Sequence, residues 1–170
     1  MGQSVGATRS ELRVRRASKE DMELLWQWAN DPQTRASAFN TDPIQRETHD
    51  RWFDGRILSA DCAIWILTSD QGVALGQVRY DRIGDGAEVD ISIAPDHRGK
   101  GLATPLIQMT LPLVRNVWSP KHVAAHVKET NIPSQKSFRR AGFLERESCP
   151  AHGPRCVLFM WEPVETKDLT

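Results

Sequence analysis

The chain has 170 residues, with 22 basic and 22 acidic side chains and a formal net charge of zero. That balance argues against a general nucleic-acid or membrane-surface binder, which carries a basic excess. Cys62, Cys149 and Cys156 form no Cys-x-x-Cys pair, which argues against a disulfide scaffold and a zinc site and fits a reducing cytoplasm. No apolar run is long enough to span a bilayer. The length fits one domain with its own core, expected over residues 11–164, with flexible ends at 1–10 and 165–170.

Leu12 to Arg16 alternates apolar and charged residues and predicts a first strand. Ser18, with Asp21 three residues on, predicts a helix start. Met22, Leu25, Trp26 and Ala29 share one face of a helix running to Asn30, which Asp31-Pro32 ends. Residues 33–43 read as a loop, and Ile44 to Leu58, carrying His49, Trp52 and Phe53, as a second helix. Cys62–Thr68, Val73–Arg79 and Ala87–Ala94 read as strands joined by short turns, so an antiparallel meander is expected, with Gly76 as a bulge position. A helix over Thr104 to Val117 follows, apolar at Leu106, Ile107, Leu111 and Val114. Pro105 suits its first turn, whereas Pro112 predicts a kink or an early end. His122–Val127 is a fifth strand, and Asn131–Ala141 a last helix stopped by Gly142. Phe143–Ser148 and Arg155–Trp161 close the sheet. This order predicts a single α+β domain, a mostly antiparallel mixed sheet with helices on both faces.

The stretch from His97 to Ala103 stands between a strand and a helix. The first amides of a helix lack helical partners and, with the helix dipole, suit a phosphate or diphosphate. Gly99 and Gly101 let the backbone approach such a ligand, and Arg98 and Lys100 add charge. The nucleotide-triphosphate loop fails because Gly-Lys is followed by Gly rather than Ser or Thr, and the dinucleotide fingerprint lacks its third glycine.

Arg98-x-x-Gly101-x-Ala103 resembles the acetyl-CoA diphosphate loop of the GNAT family of N-acetyltransferases. Asn131 to Phe143 resembles that family's Asn-x-x-Ser/Ala-x-x-x-Tyr/Phe-x-x-x-Gly-Phe signature. The resemblance covers Leu12 to Glu162. It implies a GNAT-like domain whose fourth and fifth strands splay apart to hold acetyl-CoA. The diphosphate would lie on Arg98, Gly99, Lys100, Gly101, Leu102 and Ala103, and the pantetheine arm along Ile91 and Ile93. Asn131 would stand near that arm, and Ser134 close to the cofactor. The implied activity is acetyl transfer from acetyl-CoA to a primary amine of a small molecule, without a nucleic-acid or membrane partner; a homodimer is compatible with it. The front half, Trp28-Ala29-Asn30-Asp31-Pro32 followed by His49-x-x-Trp52-Phe53, is similar to GNAT enzymes of nucleotide-linked 4-amino sugars, although Ala29 stands where Arg is usual. That similarity implies a nucleotide-linked amino sugar as the acceptor, with Asn30 and Trp52 as substrate-binding residues. Ribosomal-protein N-terminal acetyltransferases share part of the pattern, so a peptide α-amine is the alternative acceptor.

The chemistry needs a proton acceptor for the amine, a donor for the oxyanion and help for the leaving thiolate. A backbone N–H near Ile93 suits the oxyanion. The family's Tyr acid is replaced by Phe138, which raises a further alternative, a non-catalytic acetyl-CoA-binding module. A thiol of pKa about 8.5 still leaves near pH 7 at a cost of only about 2 kcal/mol. Tyr80, the sole tyrosine, is a weak substitute on another strand. Glu88, Asp90 and Ser92 share one strand face, so Glu88 and Asp90 are candidate bases. His49 is another, since an imidazole titrates near pH 7. His122 and His126 read as structural, and His97 as a cap of the phosphate loop. Trp26, Trp65 and Trp161 read as core, while Trp28 and Trp52 could stack on an acceptor ring.

Overall fold

The structure, a computed structural model, describes residues 11–146 and 155–164. The expected flexible ends at 1–10 and 165–170, together with Ser148 and Cys149, lie outside the described residues. Seven strands form one sheet in the order β1-β2-β3-β4-β5-β7-β6. β1 (Arg13–Arg16), β2 (Cys62–Thr68), β3 (Ala74–Ile83) and β4 (Gly86–Ile93) make the antiparallel meander that their short turns predict. β5 (Val123–Lys128) runs parallel to β4, and β7 (Cys156–Trp161) runs antiparallel to β5, with β6 (Leu144–Arg146) at the edge. The sheet is therefore mixed and mostly antiparallel, as expected.

Alternation along β2 divides the core in two. Ala63, Trp65 and Leu67 pack with Val78, Tyr80 and Val89 against α4 (Ala103–Trp118) and α5 (Ile132–Arg140). Cys62, Ile64 and Ile66 pack against Leu25 and Trp28 of α1 (Met22–Asn30) and Phe53 of α3 (Arg46–Ile57). Because helices cover both faces, every residue of β2 is buried.

Two expectations are corrected. The stretch read as a loop holds a short helix, α2 (Pro32–Ser37), in which the Asp31 carboxylate accepts from the Thr34 amide at 3.0 Å and Pro32 opens the first turn. The same dipeptide that stops α1 is an N-cap and first-turn pair. In addition, α4 does not end at Pro112 but runs on to Trp118. Pro112 takes a donor away from the Gln108 carbonyl, and both residues are exposed, so water can replace it.

The bulge falls beside Gly76. Leu67 pairs with Gly76 and Thr68 with Ala74, leaving Leu75 as the extra residue. A Cβ at Gly76 would lie 2.8 Å from the Ser92 carbonyl oxygen, so only glycine lets β3 lie this close to the end of β4.

The feature that shapes the site is the parting of β4 from β5. They pair only at Ala87 with Val123 and Glu88 with Ala124. Beyond that point β4 stays with β3 as far as Ile93, while β5 stays with β7 as far as Lys128. Among the described residues, β4 from Val89 to Ile93 therefore has no strand partner on its β5 side.

Candidate functional site: a splayed strand pair ending in a glycine turn

The free edge of β4 leads directly into the glycine turn. Pro95–His97 makes one 3-10 turn, and Gly99 and Gly101 follow with φ of 74° and 72°, the left-handed region that glycine enters without a steric penalty. A Cβ at either position would have nothing within 4 Å, so the inner surface of the turn is open backbone. Leu102 then caps α4, which starts at Ala103. The first amides of α4 and its dipole stand over this concavity, which fits a diphosphate. The structure thus brings Ile91, Ile93, Gly99, Lys100, Gly101, Leu102 and Ala103 along one continuous path.

Arg98 is turned elsewhere. Its guanidinium donates to the Asp31 carboxylate at 2.5 Å, to the Thr34 hydroxyl at 2.8 Å and to the Gln33 side chain at 3.2 Å. The same contact holds the Asp31 carboxyl below the usual carboxylate range. The charge expected on the diphosphate is thus neutralised by α2, and exposed Lys100, 3.3 Å from His97 Nδ1, remains at the turn. At the other lip of the cleft, Lys128 Nζ donates to the Ala36 carbonyl at 2.8 Å. Helix α2 thereby joins the far ends of β4 and β5.

Across the opening, Asn131 caps α5, its side-chain oxygen accepting from the Ser134 amide at 3.2 Å. Gln135, which the sequence reading passed over, is buried and donates to the Lys128 and Glu129 carbonyls at 3.1 and 2.9 Å. It fixes the end of β5 to α5. Its only sequence signal is a polar residue within a helix on the same face as Phe138.

The sheet face toward α1 and α3 carries the polar side chains. Glu88 and Asp90 are exposed on it and Ser92 is half-buried, as alternation predicts. Arg79 donates to Asp81 at 2.8 Å, lies 3.8 Å from Asp90 and sits 5.2 Å above the Trp52 ring. Arg56 of α3 donates to the same Asp81 at 3.1 Å. Trp52 is thus at this face, half-buried. Glu88 stands where β4 and β5 part, with His126 of β5 beside it.

Other expected site residues are drawn into the scaffold. Asn30 bonds the Ile44 amide at 2.8 Å and the Ile44 carbonyl at 3.0 Å, closing the segment that contains α2, so its amide is not offered to a substrate. Trp28 is core, 7% exposed, rather than a stacking surface. Trp26 and Trp161 are only half-buried, Trp26 donating to the Ile44 carbonyl at 2.9 Å. Phe138 is packed between Phe143 and Phe159 at centroid distances of 5.1 and 6.0 Å, so its ring does not face the cleft. Tyr80 is fully buried on Thr110 at 2.9 Å, and burial pushes its phenol up, away from acid duty. Burial likewise pushes the Cys62 thiol up to about 11, which removes it as a nucleophile.

His49 is not a base at the cleft. It is 3% exposed, stacked on Phe53 at 5.9 Å, and its Nδ1 has no hydrogen-bond partner among the described residues. Burial holds its pKa below 6.5, with Asp50 opposing and Arg46 assisting. Well above pH 6.5 the ring is neutral folded and unfolded, so it adds no pH dependence there. As the pH falls through that value, the unfolded chain takes up a proton that the native ring refuses, and stability declines. Urea unfolding between about pH 7 and about pH 5 should show this loss, of about 1 kcal/mol for each unit by which the pKa is held down. His49→Phe should flatten the profile; an unchanged slope would refute the assignment.

Comparison with known proteins agrees with this architecture. The profile of the family described as an acetyltransferase (GNAT) domain matches residues 11–144. A relative from Bacillus subtilis (strain 168), described as the putative phosphinothricin acetyltransferase YwnH, is 26% identical over 118 residues, covering 66% of this chain and 71% of that one. Spermidine N-acetyltransferase from Vibrio cholerae, solved with CoA and spermine, superposes with a TM-score of 0.76 at 21% identity, covering 88% of this chain and 93% of that one. Aminoglycoside acetyltransferase AAC(6')-Ib, solved with coenzyme A and kanamycin, superposes with a TM-score of 0.76 at 15% identity, covering 89% and 95%. At those identities the superpositions establish the fold, and the profile, matched over most of the length, establishes descent: the chain belongs to the GNAT acetyltransferase family.

Proposed function

We propose that this chain transfers the acetyl group of acetyl-CoA to a primary amine of a small, positively charged acceptor. The observation that carries the reading is the unpaired edge of β4 from Val89 to Ile93 running into the open glycine turn. An extended pantetheine arm adds to that edge as a further strand would, and the turn receives the diphosphate. Ile91 and Ile93 supply backbone along the arm, Lys100 a charge, and Asn131 and Ser134 the opposite lip. A backbone N–H near Ile93 serves the oxyanion.

Glu88 is the base. It is the exposed carboxylate at the point where the strands part, whereas Asp90, two residues on, faces Arg79. The thiolate leaves without the family's usual Tyr acid, which the modest basicity of a thiol permits. Arg56 and Arg79 are offset by Asp81 and Asp90, so the acceptor face keeps one uncompensated carboxylate, that of Glu88. That charge suits an ammonium acceptor such as a polyamine or an aminoglycoside, the amines handled by the spermidine and aminoglycoside enzymes of the same fold. A nucleotide-linked amino sugar would bring a diphosphate to the same face. The cysteine composition favours a cytoplasmic setting.

Thiol release measured with acetyl-CoA and a panel of amines tests the reading. A polyamine or aminoglycoside should be acetylated, and Glu88→Gln should lower kcat by about 100-fold with little change in the KM for acetyl-CoA. Transfer only to a nucleotide-linked amino sugar, or only to peptide N-termini, would overturn the acceptor class. Tight CoA binding with no transfer to any amine would overturn the enzyme in favour of a binding module.

A further inference from the structure

We infer that His126 receives the proton that Glu88 takes from the amine, acting through Glu88 as the second group of a relay from the cleft to solvent; the inference rests on the acetyl-transfer reading above. His126 Nε2 lies 3.6 Å from Glu88 Oε1. The two side chains belong to different strands, and they meet just beyond the last β4–β5 pair, Glu88 with Ala124. Alternation puts His126, two residues after Ala124, on the same face. Sequence alone assigns this histidine a structural part, yet its side chain is 37% exposed and that of Glu88 is 50% exposed. Among the described residues Glu88 is its polar partner. His49, by contrast, shows what a structural histidine of this chain looks like, sealed against Phe53.

The surrounding charges are already engaged. Lys128, two residues on along β5, donates to the Ala36 carbonyl, and Asp90 stands by Arg79. On the β7 side the residue opposite is Leu158, which does not titrate. His126 and Glu88 are therefore free to exchange a proton with each other. The 3.6 Å separation exceeds a hydrogen bond, but catalytic contacts of this kind commonly tighten only when substrate is bound.

The proton balance is simple. The ammonium acceptor gives one proton to the Glu88 carboxylate, which passes it to the neutral His126 ring at Nε2. The imidazolium then releases its Nδ1 proton to solvent on the exposed side. The freed amine lone pair forms the C–N bond to the thioester carbonyl, the C–S bond breaks, and the second amine proton ends on the departing sulfur as the thiol. One proton is released overall, and no oxidant or metal is needed.

The test uses the full chain with two accepted amines, one strongly and one weakly basic. His126→Gln should lower kcat for the strongly basic amine by about 10-fold to 100-fold. It should lower kcat for the weakly basic amine clearly less, and leave CoA affinity and the thermal midpoint unchanged. Imidazole added to His126→Ala should restore rate several-fold, but not to Glu88→Gln, where the first acceptor is missing. A relay of this kind is overturned if His126→Gln keeps the wild-type kcat for both amines, or if imidazole leaves His126→Ala unchanged. Should the wild-type chain acetylate no amine at all, the acetyl-transfer reading itself falls, and that result is distinct from an active enzyme indifferent to His126.

Discussion

Gly101→Asp should raise the KM for acetyl-CoA by at least about 100-fold and abolish measurable CoA binding heat. Two effects add. Gly101 has a φ of 72°, and a side chain in the left-handed region costs about 1–2 kcal/mol. The new carboxylate would also point into the concavity proposed for the diphosphate, where two like charges at about 4 Å repel by about 4 kcal/mol at the effective dielectric of a protein surface. At about 1.4 kcal/mol per tenfold, even half of that repulsion with the strain gives two decades. Gly101→Ala carries the strain without the charge and should lose only about 10-fold. Gly84, with a φ of 59° in the β3–β4 turn at the opposite end of β4 from the glycine turn, is the control. Gly84→Asp introduces similar strain away from the cleft and should lower stability without changing the KM. Calorimetry with CoA and steady-state kinetics read both quantities, and an unchanged KM in Gly101→Asp would remove the glycine turn from cofactor binding.

Phe159→Ala should destabilise the fold by about 3–5 kcal/mol, the range for emptying a fully buried phenylalanine site. Phe159 is 0% exposed and stacked on Phe138 at 6.0 Å with an interplanar angle of 21°. It stands on β7 directly opposite Ala125 of β5 and Glu145 of β6. Total stabilities of single domains run about 5–15 kcal/mol, so the loss is a large share. At this chain length it corresponds to a fall of about 6–20 °C in the unfolding midpoint. Phe159→Leu, which keeps most of the volume, should cost less than half as much. Activity should fall in parallel when assayed near the midpoint, because β5 holds to β4 at only two residue pairs and depends on β7 for its position. A midpoint shift below about 3 °C would show that the site collapses without a cavity.

The two glycines of the turn, the strand before it and the helix after it were all legible in the chain, and β2 was legible to the residue at both ends. These features are local. A left-handed turn needs glycine, and alternation or helical spacing repeats within a few residues. Asp31-Pro32 was readable too, but only as a stop; the same two residues also begin α2, and a helix of six residues has too few turns to show a period. Gly142, with a φ of 95°, ends α5 as the sequence indicates.

Which polar residues are open to a ligand was not readable. His49 stands between polar Thr48 and Asp50 and His126 between apolar Ala125 and Val127, yet the fold buries the first against Phe53 and leaves the second at the parting of β4 and β5. Asn30 had the residue type of a ligand contact and instead bonds Ile44, 14 positions away. Arg98 sat in a phosphate-loop pattern and instead holds Asp31, 67 positions away. The sequence by itself determined the elements apart from α2, their order and the glycine turn, because each follows from the chain's nearest neighbours. Tertiary structure alone decided where the charges point, because alternation tells which side chains share a face but not which face a distant helix will cover.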